Sequence, residues 1–368
     1  MTTRGPGGAD GGGPVAPPRA PDADAGKRPA PRAISGGRGT RRQRLRAGIV
    51  ATVASAAIRL PEAPLIAAAD SLGELWYRAT PGRAAMARAN LGRTCAWLAA
   101  EGRGPARARR AATDPDALES LLRSAYRHAA RYYLELLRAP TLDDAYVAER
   151  LEKLTPEVLA DASAEPRGVI LASAHLGPIE LPAYIAARMG RGRPVGVMEA
   201  VDDPEIQRWF ARSRGSVGVE LVGLRDAKRE LGRVLQEGGT ALIVADRDIT
   251  GGGTDVELFG HPAPLPSGPA LLAIDSGARL FFVAMWRTAR GHYRAWLREI
   301  QVPAEGRLRA RATQTLDAIA RAIEDAVAEA PDQWWAVFFP IWPDLAPAGR
   351  APAGRARSER APAEHARP

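Results

Sequence analysis

From residue 168 onward the chain repeats one texture, a short apolar run followed by a stretch with helical spacing. The runs are GVILASA (168–174), PVGVM (194–198), VELVGL (219–224), TALIVAD (240–246) and RLFFVAMW (279–286), with YRAWL (293–297) as a further candidate. Helical stretches at 205–213, 226–237 and 269–276 separate them, and a long one covers 307–329 before Pro331. Short continuous runs of Val, Ile, Leu and Phe suit strands covered on both faces. Strands that alternate with helices predict an α/β fold, a central, mostly parallel sheet flanked by helices.

Residues 60–140 read as helical and are expected to pack on that sheet. The clearest helix starts at Asp114-Pro115, an N-cap followed by proline at the first helical position. Leu118, Leu121, Leu122, Ala125, Ala129, Tyr132, Tyr133, Leu136 and Leu137 keep its apolar stripe, and Pro140 ends it. His128 sits inside this pattern, and packing is its expected role. The ordered domain is expected over 45–345, with N-terminal helices over 45–140 and the α/β part over 141–345. Residues 1–44 and 346–368 are mostly Gly, Pro, Ala and Arg, and read as disordered basic tails.

The formal net charge of +9 is confined to those tails. Residues 1–45 hold nine Lys/Arg against three Asp/Glu, and residues 350–368 hold five against two. That leaves 37 of each sign between them. A neutral body argues against a face built for nucleic acid. The lone Cys95 excludes an internal disulfide and has no zinc-ligand neighbours. No apolar run reaches the roughly 18 residues of a spanning helix. The uncharged stretch Ala47–Ile58 follows TRRQRLR, and reads either as an interfacial helix on anionic lipid or as a buried helix.

The densest chemical signal is ASAHLGPIELPAY, 172–184. A strand ends, His175 follows, and Gly177-Pro178 is expected to start a helix with Glu180 in its first turn. Ligands in open α/β sheets bind outside the carboxyl ends of strands. A histidine held there by a carboxylate is a general-base arrangement. Glu180 is equally readable as a carboxylate that complements a helix N-terminus. Asp246, Arg247 and Asp248 also follow a strand, and read as a structural ion cluster or as part of the site. Glu199 ends another strand and is a candidate wall. Gly251-Gly252-Gly253 lacks nucleotide-loop spacing and reads as a hairpin turn. Ser267-Gly268-Pro269 reads as a helix start. His261, His292 and His365 form no metal cluster, so no metal is expected. Trp334 and Trp335 are expected to pack in the core.

The H-x-x-x-x-E segment resembles the signature of the bacterial late lipid acyltransferases, which include the lipid A lauroyl/myristoyl transferases and the phosphatidylinositol mannoside acyltransferases. ARANLGR around Asn90-Leu91, SAYRHAARYYLELLR, RGSVGVELV with Arg214 and Gly218, and PDQWWAVFFPIWPD follow the family's order. VADRDITGGGTDVELFGHPAPLPSGPALLAIDSGARLF is most similar to the mannoside branch. The resemblance covers roughly 47–344. It implies a fatty acyl group moved from a thioester, acyl-CoA or acyl carrier protein, to a hydroxyl of a glycolipid or lysolipid. It implies His175 as general base assisted by Glu180, with Arg214 at the oxyanion or a phosphate. Asp255 matches a position often acidic in the mannoside branch, which implies that it assists His175. With Glu199, Asp246 and Arg247, read from their places at strand ends, it completes the expected substrate-binding residues. No cofactor is implied, and the expected partners are the donor, the lipid acceptor and an anionic membrane surface on the cytoplasmic side. Many members have Gly-Asn-Trp where this chain has Gly177-Pro178-Ile179, which alters acceptor contacts. A thioesterase using the same His, or a non-catalytic basic-tailed protein binding nucleic acid or membrane, are the competing readings. An acyl trench is expected beside His175, with walls from 176–184 and 258–272.

Overall fold

The computed structural model describes residues 39–189, 191–288 and 291–346. The tails expected at 1–44 and 346–368 lie almost wholly outside them. Among the described residues seven strands form one sheet: β1 (Leu151–Lys153), β2 (Val169–Ser173), β3 (Val195–Met198), β4 (Glu220–Gly223), β5 (Thr240–Val244), β8 (Arg279–Arg287) and β9 (Tyr293–Ile300). Their spatial order is β1-β9-β8-β2-β5-β3-β4. All neighbours are parallel except β8 and β9, which follow each other directly and pair antiparallel. The central strands are buried because both faces are covered. Val169, Ile170, Leu171 and Ala172 of β2 are all buried, as are Leu280, Phe281 and Phe282 of β8. A separate hairpin, β6 (Thr254–Leu258) and β7 (His261–Leu265), turns at Phe259-Gly260, both with positive φ. The expected hairpin turn at Gly251–Gly253 is displaced. Those glycines form a bend in which Gly251 and Gly253 donate to Asp248, which leaves Phe259-Gly260 to reverse the chain.

The helices are α1 (Arg41–Ala57), α2 (Glu62–Ala79), α3 (Pro81–Ala100), α4 (Ala106–Arg110), α5 (Pro115–Arg138), α6 (Asp144–Arg150), α7 (Pro156–Ala164), α8 (Glu180–Ala187), α9 (Pro204–Ser216), α10 (Leu224–Gln236), α11 (Gly268–Ser276) and α12 (Leu308–Glu329). Asp114 caps α5 through the Asp116 and Ala117 amides. Leu91 and Leu98 of α3 and Leu122 and Tyr126 of α5 share one core cluster with Ile170 and Phe282 of the sheet. The N-terminal helices therefore cover the sheet, as their apolar stripes predict.

Helix α1 begins at Arg41, ahead of the tail boundary at 44. A capping box between Thr40 and Gln43 satisfies its first amides. Of its residues only Ala57 is buried, whereas Leu45, Ile49 and Val53 are 66, 56 and 49% exposed. The buried-helix reading of Ala47–Ile58 is thus overturned. No helix among the described residues is long and apolar enough to cross a membrane. Ser267 precedes α11, but its hydroxyl is engaged with Thr254 and does not cap the helix.

Candidate active site

The parallel register of β2 and β5 pairs Ser173 with Val244. Two residues beyond each strand stand His175 and Asp246. The Asp246 carboxylate meets His175 twice, at Nδ1 (2.7 Å) and at the backbone N–H (2.9 Å). Because a carboxylate only accepts, Nδ1 carries the proton. Trp334 Nε1 donates to the same Asp246 Oδ2 at 2.8 Å. Burial alone would raise the Asp246 carboxyl, but His175 and the Trp334 N–H hold it below the ordinary aspartate range. The Asp246 side chain is fully buried, while that of His175 is 18% exposed. No described residue hydrogen-bonds His175 Nε2, which leaves that nitrogen for a reacting group.

The carboxylate on the His175 ring is therefore Asp246 and not Glu180. Helix α8 starts at Glu180, two residues later than Gly177-Pro178 suggests, because the 175–177 backbone is engaged elsewhere. Trp335 N–H donates to His175 O at 2.7 Å, and Gly177 N–H to Gln333 O at 3.2 Å. Gly177 has φ +60, and a Cβ there would collide with the Met285 carbonyl. From α8, Glu180 turns to Arg214 at the end of α9 and accepts from its Nε at 3.0 Å. Arg214 Nη2 donates to the Tyr132 hydroxyl at 2.9 Å. Burial opposes the Arg214 charge, yet Glu180 and Tyr132 outweigh it and hold that charge firmly. Burial pushes the Tyr132 phenol up to about 12. Arg214 Nη1 has no hydrogen bond to a described residue.

The remaining expected site residues do not touch the His175–Asp246 pair directly. Arg247 does not pair with Asp246, whose oxygens are taken by His175 and Trp334. Its guanidinium lies 3.8 Å from Glu199 and 3.7 Å from the Phe339 ring centre. Asp255 lies on β6 opposite Pro264, exposed on the hairpin. Among the described residues no three His, Cys, Asp or Glu side chains gather where they could hold a metal.

The C-terminal segment contributes more than core packing. Trp334 is buried, but the Trp335 ring stands 5.3 Å from that of His175. Asn90, buried on α3, donates to Val337 O and Phe339 O, both at 2.8 Å. Gln333 brackets Arg287 of β8, accepting from its N–H at 2.8 Å and donating to its C=O at 2.7 Å. Asp332 accepts from Arg107 and Ser124. These polar residues explain why asparagine and PDQWW belong together. They bolt the segment over the 175–177 loop.

A cavity of about 580 Å³ has Pro178, Glu180 and Leu181 on one wall and Ile66, Leu134 and Tyr146 on others, with Glu62, Arg131, Glu135, Arg138, Arg150 and Arg287 among its charged lining. It does not include His175, so the trench expected beside that residue is displaced toward Pro178. The expected contribution from 258–272 is absent from its lining. Leu258, Leu265 and Leu272 are buried in the main core, where the hairpin packs.

Residues 42–339 match the family model described as bacterial lipid A biosynthesis acyltransferase. The chain is also 33% identical over 175 residues to a phosphatidylinositol mannoside acyltransferase from Mycolicibacterium smegmatis, covering 46% of this chain and 57% of the relative. It is 30% identical over 168 residues to a phosphatidylinositol mannoside acyltransferase from Mycobacterium tuberculosis, covering 44% and 52%. The matched region thus spans about half the length of these curated relatives.

Proposed function

Because the chain belongs to the bacterial lipid A biosynthesis acyltransferase family, we propose that it moves a fatty acyl group from a thioester to a lipid hydroxyl. The donor is acyl-CoA or acyl carrier protein. The acceptor class suggested by the names of the two relatives is a phosphatidylinositol mannoside. The observation that carries this reading is His175, held at Nδ1 by buried Asp246 with Nε2 unengaged.

A hydroxyl is hardly ionised at neutral pH, so its oxygen needs a base as it attacks the thioester carbonyl. His175 Nε2 takes that proton, and Asp246 stabilises the imidazolium that forms. The new C–O bond leaves a tetrahedral oxyanion, for which the unengaged Arg214 Nη1 is the proposed donor. Glu180 holds Arg214 rather than the histidine. The oxyanion then collapses, the C–S bond breaks, and the leaving sulfur takes the proton back from His175. The cavity beside Pro178 and Leu181 is the proposed seat of the apolar chain.

The exposed row Leu45, Ile49 and Val53, with Arg41, Arg42 and Arg44 nearby, supports a peripheral seat on an anionic bilayer. Incubation of the full chain with labelled acyl thioester tests the reading. Acylated phosphatidylinositol mannoside is the expected product. Release of free fatty acid alone, with the lipid present, would make the chain a thioesterase.

A further inference from the structure

Phe339 carries two guanidinium groups on one ring. Arg247 Cζ lies 3.7 Å from the ring centre and Arg83 Cζ 5.5 Å. Arg83 has no ion pair among the described residues. Arg247 has only Glu199, at 3.8 Å and half exposed, beyond hydrogen-bonding distance. Arg191 is likewise without a bonded carboxylate, and donates to backbone carbonyls instead, whereas three other arginines are treated differently. Arg214, Arg279 and Arg287 each hydrogen-bond a carboxylate. Two neighbouring cations without such a partner repel, and a largely buried one loses hydration as well. Burial holds Arg247 below the ordinary arginine range, against the pull of Glu199 and Asp246, and Arg83 adds a smaller push in the same direction as burial. The face of Phe339 offsets part of that cost.

The arrangement is also fixed in position. Asn90 anchors the Phe339 carbonyl from the same helix α3 that presents Arg83. Arg247 directly follows Asp246, and the Trp335 ring lies against both Arg247 (5.8 Å) and His175 (5.3 Å). We propose that Arg83 and Arg247, gathered on the Phe339 ring, form a phosphate clamp at the mouth of the His175 site. A guanidinium fork matches two phosphate oxygens at once, and a phosphate supplies the anion that both cations lack. That phosphate belongs to the nucleotide of a coenzyme A donor or to the phosphodiester of the lipid acceptor. This choice of ligand rests on the acyl-transfer reading. The clamp itself is read by binding alone.

Titration calorimetry on the full chain at low salt separates the sources. The probes are coenzyme A and glycerophosphoinositol, with pantetheine and inositol as their phosphate-free counterparts. One phosphate probe is expected to bind, with affinity about 10-fold weaker in Arg83→Gln and in Arg247→Gln. The loss should narrow as salt is raised, and the phosphate-free counterparts should bind alike to all forms. Arg83 is exposed on α3, so its variant tests binding with the fold undisturbed. Coenzyme A as the affected probe assigns the clamp to the donor, and glycerophosphoinositol assigns it to the acceptor. Equal affinity of wild type and the double variant for both probes overturns the clamp, as does binding of neither probe. Normal acyl transfer with arginine-independent binding removes the clamp alone. Arginine-dependent phosphate binding without any acyl transfer removes the transfer reading alone.

Discussion

His175→Ala is expected to slow acyl transfer by about 10²–10⁴, the usual worth of a positioned general base, with thermal unfolding nearly unchanged. Near-normal turnover in the folded variant would rule the base out. The Asp246 pairing adds a signature that a merely structural carboxylate on α8 would not give. Asp246→Asn is expected to lower kcat more than Glu180→Gln does, since Asn cannot balance an imidazolium. The same change has a pH-dependent cost in stability. The folded-state pKa of Asp246 is depressed, so its ionised form favours the fold. That contribution is whole above the ordinary aspartate pKa and is lost as pH falls through the depressed value. Denaturant midpoints of wild type and Asp246→Asn should therefore differ most near neutrality and converge in strong acid. A gap that widens on acidification would reverse the sign. His175 and Glu180 were legible because each sits beside its own strand or helix signal. Asp246 and Arg214 were candidates too, but their pairing with these two residues was not legible. The register that sets Asp246 against His175 comes from a neighbouring strand 71 residues away, and local spacing carries no trace of it.

At the scale of elements, the strands were readable because both faces of this sheet are covered, so each appears as an unbroken apolar run. The hairpin turn was placed too early, at Gly251–Gly253, and the strands β6 and β7 were not read, since Pro262 and Pro264 lie in β7 and proline argues against a strand. Apart from its resemblance to the family's C-terminal segment, the 332–339 segment was legible only as aromatic bulk. Its work is done through polar tethers to residues far earlier in the chain. Asn90→Ala removes one such tether and leaves two carbonyls without their donor. A loss of about 1–3 kcal/mol in unfolding free energy is expected, with a fall in acyl transfer although Asn90 is not placed at the reacting atoms. Unchanged stability and activity would show that the segment is held by packing alone. Gly177→Ala should be worse. A positive φ and a backbone collision coincide there, and a cost above about 2 kcal/mol is expected in chemical denaturation.

Across the whole chain, the net charge falls in the two terminal segments, while the body between them balances, and α1 presents a row of exposed apolar side chains. Trimming residues 1–38 and 350–368 is expected to leave the fold intact and to weaken sedimentation with anionic vesicles, less so at high salt. Ile49→Asp with Val53→Asp should weaken it at every salt concentration, because burial of each large side chain contributes about 1.5–3 kcal/mol. Binding unaffected by either change would move the membrane contact elsewhere. The bolts that close the site have a consequence in time. Asn90, His175, Asp246 and Trp334 are strung through the chain in order, and the carboxylate that holds the histidine gains its last hydrogen bond only when Trp334 arrives. During synthesis the helices and the sheet emerge first, and a truncated product that lacks the tryptophan segment would leave Asp246 without its Trp334 donor. Activity would then switch on late and all at once, so that an unfinished chain folding near lipid and thioester does not begin to consume them.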